Sequence, residues 1–237
     1  MNRYDKLIVM KIELLQPIYG SEENAVKSFK AYADAEFKSL DALYDISVQK
    51  GRFFVSLDGE DSELCVNLLY SQFGRPMNKN DAVSGVSYKG YIQKIEPDLI
   101  TVNIGFELPV SASSLEKLGA GSAGQIASRF GMIPYLPIIV ELTPDSKAFA
   151  FTKEQIDLWW SWNKSSTDRI FVNGATRSLV KAVLQKKGHG RDVYGVEKLG
   201  LTECVVVCKE KTDGPGIVAS VGKLLPSQMG VLIGSKK

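Results

Sequence analysis

The chain has 237 residues, 44% of them hydrophobic and 24% charged, with 29 Lys and Arg against 27 Asp and Glu. That composition builds its own apolar core, and the length suits one large domain or two to three small ones. Three cysteines without a C-x-x-C pair and a single histidine exclude a disulfide framework, a thiolate zinc site and multi-histidine metal ligation.

The N-terminal stretch KLIVMKIELL is broken by Lys11 and Glu13 and has no cleavage pattern behind it, so it reads as a strand (7–15) and not as an export signal. No run approaches the ~20 apolar residues of a membrane helix, and a cytoplasmic location is expected. Pro17 and Gly20 end the strand. Ser21 is placed to cap a helix in which Val26, Phe29, Ala33, Phe37 and Leu40 recur at helical spacing. Strands follow at 44–48 and 53–57, joined by a turn at Lys50-Gly51. A second helix, capped by Asp61 or Ser62, carries Leu64, Cys65, Leu68 and Leu69 on one face. Asp58, Glu60, Asp61 and Glu63 lack the spacing of a calcium loop and read as a cap and turn. Residues 1–75 thus form a β-α-β-β-α unit.

At GRPMNKND the composition changes, and a second region covers residues 76–150. Its first part, 82–115, alternates as short strands around a Pro97-Asp98 turn, with Gly85, Gly90 and Gly105 among β-branched residues. This resembles the early strands of a small β-barrel of the S1/OB or SH3-like kind. Next, LGAGSAGQIASRFGM places Gly119, Gly121 and Gly124 as G-x-G-x-x-G, with Glu141 at the end of the following apolar run. A dinucleotide fingerprint needs a buried strand running into its first glycine. Here the preceding residues, Ser113 to Leu118, are polar and helix-like, and Pro134 and Pro137 crowd the next strand. The stretch therefore reads as a loop entering a short helix over 122–130. Gly119, Gly121, Ser122 and Gly124 are candidates for holding one anion at that helix start.

Residues 151–167 read as a helical connector. Thr152 and Gln155 suggest a capping box, and Ile156, Trp159 and Trp160 share a face suited to a domain junction. Residues 168–237 have the order β-α-β-β-α-β, which is ferredoxin-like. Thr176 caps a helix with Leu179, Val180, Val183 and Leu184 inside and Arg177, Lys181, Lys186 and Lys187 outside. The turn KGHGRD adds Arg191 and loosely resembles the backbone-clamping loop of KH domains. Cys204 and Cys208, four apart on a strand, read as core residues. TDGPGIVASVGKLL resembles the D-x-P-G-I turn of amino-acid-sensing ACT domains through Asp213, Pro215, Gly216 and Ile217. That resemblance makes Asp213, Gly216 and Ile217 candidate ligand contacts.

Charge is unevenly spread. Residues 164–237 hold 13 Lys and Arg against 6 Asp and Glu, a net +7, and the remainder carries 16 against 21, a net −5. A basic third of this kind suits a polyanion partner. His189 is the one histidine available to a catalytic triad, and Asp192 is the one acid beside it in sequence. No reaction is legible, and no cofactor is expected. The segments GFELPVSASSLEKLGAGSAGQIASRFGMIPYLPIIVELT and VNGATRSLVKAVLQKKGHGRDVYGVEKLGLTECVVVCKEKTDGPGIVASVGKLL together resemble an archaeal family described only as a domain of unknown function. That resemblance implies a cytoplasmic archaeal protein and assigns no residue roles. The expected fold is a multi-part α+β protein. The first functional expectation is a non-catalytic, RNA-binding or translation-associated protein with RNA or a ribonucleoprotein as partner. Arg177, Lys181, Lys186, Lys187 and Arg191 would contact phosphates. The alternatives are a ligand-sensing regulator using the 213–217 turn and a nucleotide-dependent enzyme using the Gly-rich loop.

Overall fold

The computed structural model describes residues 9–225 and 227–235, and the chain divides into two compact units after Pro76. It is an α+β protein with three antiparallel sheets.

The first unit runs β1 (Met10–Pro17), α1 (Glu22–Glu36), β2 (Leu43–Gln49), β3 (Arg52–Asp58) and α2 (Ser62–Phe73), with sheet order β1-β3-β2. The predicted start of the first strand, residues 7 and 8, lies outside the described residues. Lys50 and Gly51, at φ 51° and 72°, make the tight β2–β3 turn, because two left-handed residues match the strand twist. Ser21 caps α1 by accepting from Asn24 N at 3.2 Å. The core is aromatic. Phe29 stacks on Phe53 with centroids 4.7 Å apart and meets Phe73 at 5.3 Å. The inward face of α2 differs from the predicted one. Cys65, Val66, Leu69 and Phe73 are buried, and Leu64 is 47% exposed. Asp61 precedes α2 without capping it; its carboxylate accepts from Asp41 N at 2.8 Å.

The second unit opens with β4 (Ser87–Ile95), β5 (Ile100–Asn103) and β6 (Glu107–Pro109), followed by the helices α3 (Ala112–Glu116) and α4 (Ala123–Arg129). Strands β7 (Pro137–Leu142) and β8 (Phe149–Phe151) complete a five-stranded sheet in the order β6-β5-β4-β7-β8. It curls into a half-barrel. Its two edges meet at a Val110–Phe149 bridge, where Ser111 N donates to Phe149 O at 2.8 Å. Helix α5 (Lys153–Lys164) buries Ile156 and Trp159 in the half-barrel core. Thr152 caps it, but the expected reciprocal capping box is absent. The buried Gln155 side chain instead accepts from Ile139 N at 3.0 Å, so a strand N–H takes the acceptor. A full capping box does form at α4, between Ser122 and Gln125.

The unit ends with β9 (Arg169–Asn173), α6 (Arg177–Lys186), β10 (Val193–Lys198), β11 (Glu203–Cys208), α7 (Gly214–Val221) and β12 (Gln228–Leu232). The strands lie in the antiparallel order β10-β11-β9-β12, the ferredoxin-like arrangement. One sheet face, with Ile170, Val172, Cys204, Val206 and Cys208, packs under α6 and α7. The opposite face, through Phe171, Val205 and Leu232, joins the half-barrel core.

Candidate functional site

Helix α6 is amphipathic, and its two faces fix where its charges go. Val180, Val183 and Leu184 are buried on the sheet. Leu179, in the first turn and expected inside, is 40% exposed. Thr176 Oγ1 accepts from Leu179 N at 3.3 Å and starts the helix. Gly188 ends it in the left-handed conformation, φ 81°. Arg177 Nε donates to Val196 O at 2.6 Å, which ties this cation to β10. Lys181, Lys186, Lys187 and Arg191 are exposed, and among the described residues none has an ion-pair partner. Residues 176–191 contain no acid at all. Lys186 and Lys187 also lie at the negative end of the helix dipole, which favours them there without any ligand.

The turn after α6, a 3-10 segment at His189–Arg191, holds an arrangement that spans the two helices. His189 Nδ1 lies 2.8 Å from Asp192 Oδ2, and His189 Nε2 lies 3.0 Å from Ser220 Oγ on α7. The Asp192 carbonyl accepts from Lys209 N at 2.8 Å and from Thr212 Oγ1 at 3.1 Å, so the turn is anchored at its far end. Ser220 escaped the sequence reading because it follows His189 by 31 residues and becomes its neighbour only when α7 packs beside the turn.

The Gly-rich loop lies in front of α4 and faces a cleft of about 260 Å³ lined by Asp98, Leu115, Glu116, Gly119, Gly121 and Ser122, among others. Gly119 and Gly121 have φ of 106° and 131°, values that need glycine. The loop is preceded by a helix, α3, and its sheet is antiparallel. Its polar groups are largely engaged. Ser122 N donates to Gln125 Oε1, Gln125 N to Ser122 Oγ, and Gly124 N to Pro97 O at 2.9 Å. Arg129 turns its guanidinium onto the Leu118 and Ala120 carbonyls, at 3.2 and 2.7 Å.

At the 213–217 turn, Pro215 occupies the first turn of α7, where its missing N–H costs nothing. Asp213 makes no capping bond. The buried Asp168 carboxylate does so from β9's approach, accepting from Gly214 N and from Gly234 N, both at 3.0 Å. Gly216 sits tight against Asp213, since a Cβ there would lie 2.6 Å from Asp213 Oδ2. The three candidate sets therefore occupy separate elements. The turn carrying Arg191 is linked to α7 through His189 and Ser220. Among the described residues no group of three or more His, Cys, Asp or Glu is placed to hold a metal. Among the described residues no helix is long and apolar enough to cross a membrane.

Fold and site together define a three-sheet α+β protein with a cationic helix face on a ferredoxin-like domain. The chain belongs to the DUF2110 family: family models match its N-terminal domain at residues 11–79, its central domain at 82–163 and its C-terminal domain at 167–233. No curated protein and no solved structure matches the chain.

Proposed function

We propose that this is an archaeal, cytoplasmic protein that binds RNA, alone or within a ribonucleoprotein of the translation apparatus, by gripping phosphates with α6 and the turn behind it. The observation that carries this reading is the set of exposed, unpaired cations Lys181, Lys186, Lys187 and Arg191 on a stretch without a single acid. Unneutralised cations on one face release counterions when a polyanion replaces their salt, which drives binding. Base reading on the open side of the sheet, the mode of RNA-recognition motifs, has no room here, because Phe171, Val205 and Leu232 are packed into the half-barrel core. Phosphate contact remains, so the binding is weakly sequence-dependent. A ligand-sensing turn at 213–217 and a nucleotide site at 119–124 find less support, since Asp168 and the Ser122–Gln125 box already use those helix starts.

Fluorescence anisotropy with single- and double-stranded RNA across a salt series tests this. Binding should weaken steeply from 50 to 200 mM salt. Replacing Lys181, Lys186 and Lys187 together with Gln should lower the log–log slope by roughly 2–3. A salt-independent affinity, or one indifferent to the triple substitution, overturns the reading.

A further inference from the structure

We propose that Ser220, His189 and Asp192 form an acyl-transfer site in which Ser220 is a nucleophile toward activated carboxylic esters that carry negative charge. A serine triad is defined by which atoms meet, not by chain order. Here Asp192 Oδ2 meets His189 Nδ1 at 2.8 Å and Ser220 Oγ meets His189 Nε2 at 3.0 Å. The acid thus holds one imidazole nitrogen, and the other is left to take the serine's proton. Each member is positioned from its own side. Asp192 is fixed through its carbonyl by Lys209 N and Thr212 Oγ1. His189 stands on the turn that Gly188 opens, and Ser220 is set by the burial of Ile217 and Val221 on either side of it in α7. The site is reachable, because the His189 and Asp192 side chains are 22% and 44% exposed.

The chemistry closes on these groups. Ser220 Oγ attacks the ester carbonyl and forms the Oγ–C bond while its proton passes to His189 Nε2. The C–O bond to the leaving alcohol breaks as His189 returns that proton to the departing oxygen. Water then attacks the acyl-serine carbon and gives one proton to His189. The Oγ–C bond then breaks as His189 passes that proton to Ser220 Oγ, and the carboxylic acid leaves. The Gly222 N–H, two residues beyond Ser220, is used within the helix end and donates to Val218 O. Lys187 and Arg191, each two residues from His189, and Lys223, one turn beyond Ser220, are the exposed cations nearest in sequence, and they are the groups that would offset charge on the tetrahedral oxygen. Each preorganised oxyanion donor that is missing should slow the reaction by about 100–1,000-fold. The same cations set the preference for anionic esters. That preference rests on the polyanion reading, whereas acylation of Ser220 does not.

The test uses the full chain. A fluorophosphonate probe is followed by intact mass and peptide mapping, and p-nitrophenyl acetate supplies a neutral ester. A single adduct on Ser220 is expected, absent in Ser220→Ala and slowed about 100-fold in His189→Gln, with a smaller loss in Asp192→Asn. Hydrolysis should fall in the same order, and Ser220→Ala should keep its RNA affinity, so failure of this site and failure of RNA binding are separable. A wild-type protein that melts cooperatively yet takes no label at Ser220 overturns the proposal. So does labelling that is unchanged in both His189→Gln and Asp192→Asn. The wild-type labelling needs no variant, so its absence overturns the proposal even where a substituted chain fails to fold.

Discussion

Cys204 and Cys208 lie on the face of β11 that packs under α6 and α7, and neither exposes its sulfur. Burial, with the Glu203 carboxylate adding to it, pushes the Cys204 thiol up to about 12; burial, with Asp168 and Asp192 adding to it, pushes Cys208 up to about 11. An unfolded thiol ionises near 9. The folded state therefore keeps protons that the unfolded chain releases. Their contribution to stability is complete below about pH 8–9 and is lost as pH rises toward 11–12. Urea unfolding between pH 7 and 10.5 should show this alkaline decline, and it should flatten in Cys204→Ala/Cys208→Ala even though that variant is weaker at pH 7. The sequence marked these two as core residues, because positions four apart on a strand share a face and a free cysteine is commonly buried. Ser220 carried no comparable mark. A serine inside an apolar helix looks like any other until a histidine arrives from elsewhere in the chain.

Among the elements, α7 shows how a helix start can be written in one place and completed in another. The Asp-Gly-Pro-Gly sequence predicts the start correctly from proline's fixed φ and missing donor. The acceptor that satisfies the first N–H is Asp168, 46 residues earlier, and the same carboxylate holds Gly234 N after β12. Asp168→Ala leaves two buried N–H groups unpaired and should cost about 2–5 kcal/mol in urea denaturation. Asp168→Asn, which keeps one acceptor, should lose distinctly less. Helix α5 follows the same pattern. Thr152 caps it as its sequence indicates, but Gln155 serves β7: the Thr152 N–H that a capping box would satisfy already donates to Ile139 O at 3.3 Å, and Gln155 accepts from Ile139 N. Helix α6 needed no such help, and its apolar and basic faces were legible from periodicity apart from Leu179.

At the scale of the second unit, the half-barrel and the ferredoxin-like sheet share one core and meet backbone to backbone. A Cβ on Gly230 of β12 would lie 2.2 Å from the Gly131 carbonyl oxygen, and Gly131, at φ 64°, closes against Val231 in the same way. Asn173 of β9 adds a hydrogen bond to Pro134 O at 2.7 Å, and Trp162 of α5 meets Phe171 with centroids 5.7 Å apart. Gly230→Ala must push these backbones apart. It should destabilise the unit by about 3 kcal/mol or more. Calorimetry should then show the second unit's transition lowered or split relative to that of the native chain.

By itself the sequence determined the α+β class, the order of elements in the N- and C-terminal parts, the barrel-like middle, the ferredoxin-like end and the cationic face of α6, while strand β8 went unread. Each depends on local periodicity, turn chemistry or charge, which act over a few residues and survive without knowledge of the fold. The sequence was also enough to demote the Gly-rich loop, because no strand leads into Gly119. Tertiary structure alone decided that this loop's polar groups are mostly taken, that Asp168 caps α7, that the sheet's open face is covered, and that His189 sits between Asp192 and Ser220. Those contacts join residues tens of positions apart, and their geometry exists only once the sheets and helices have packed.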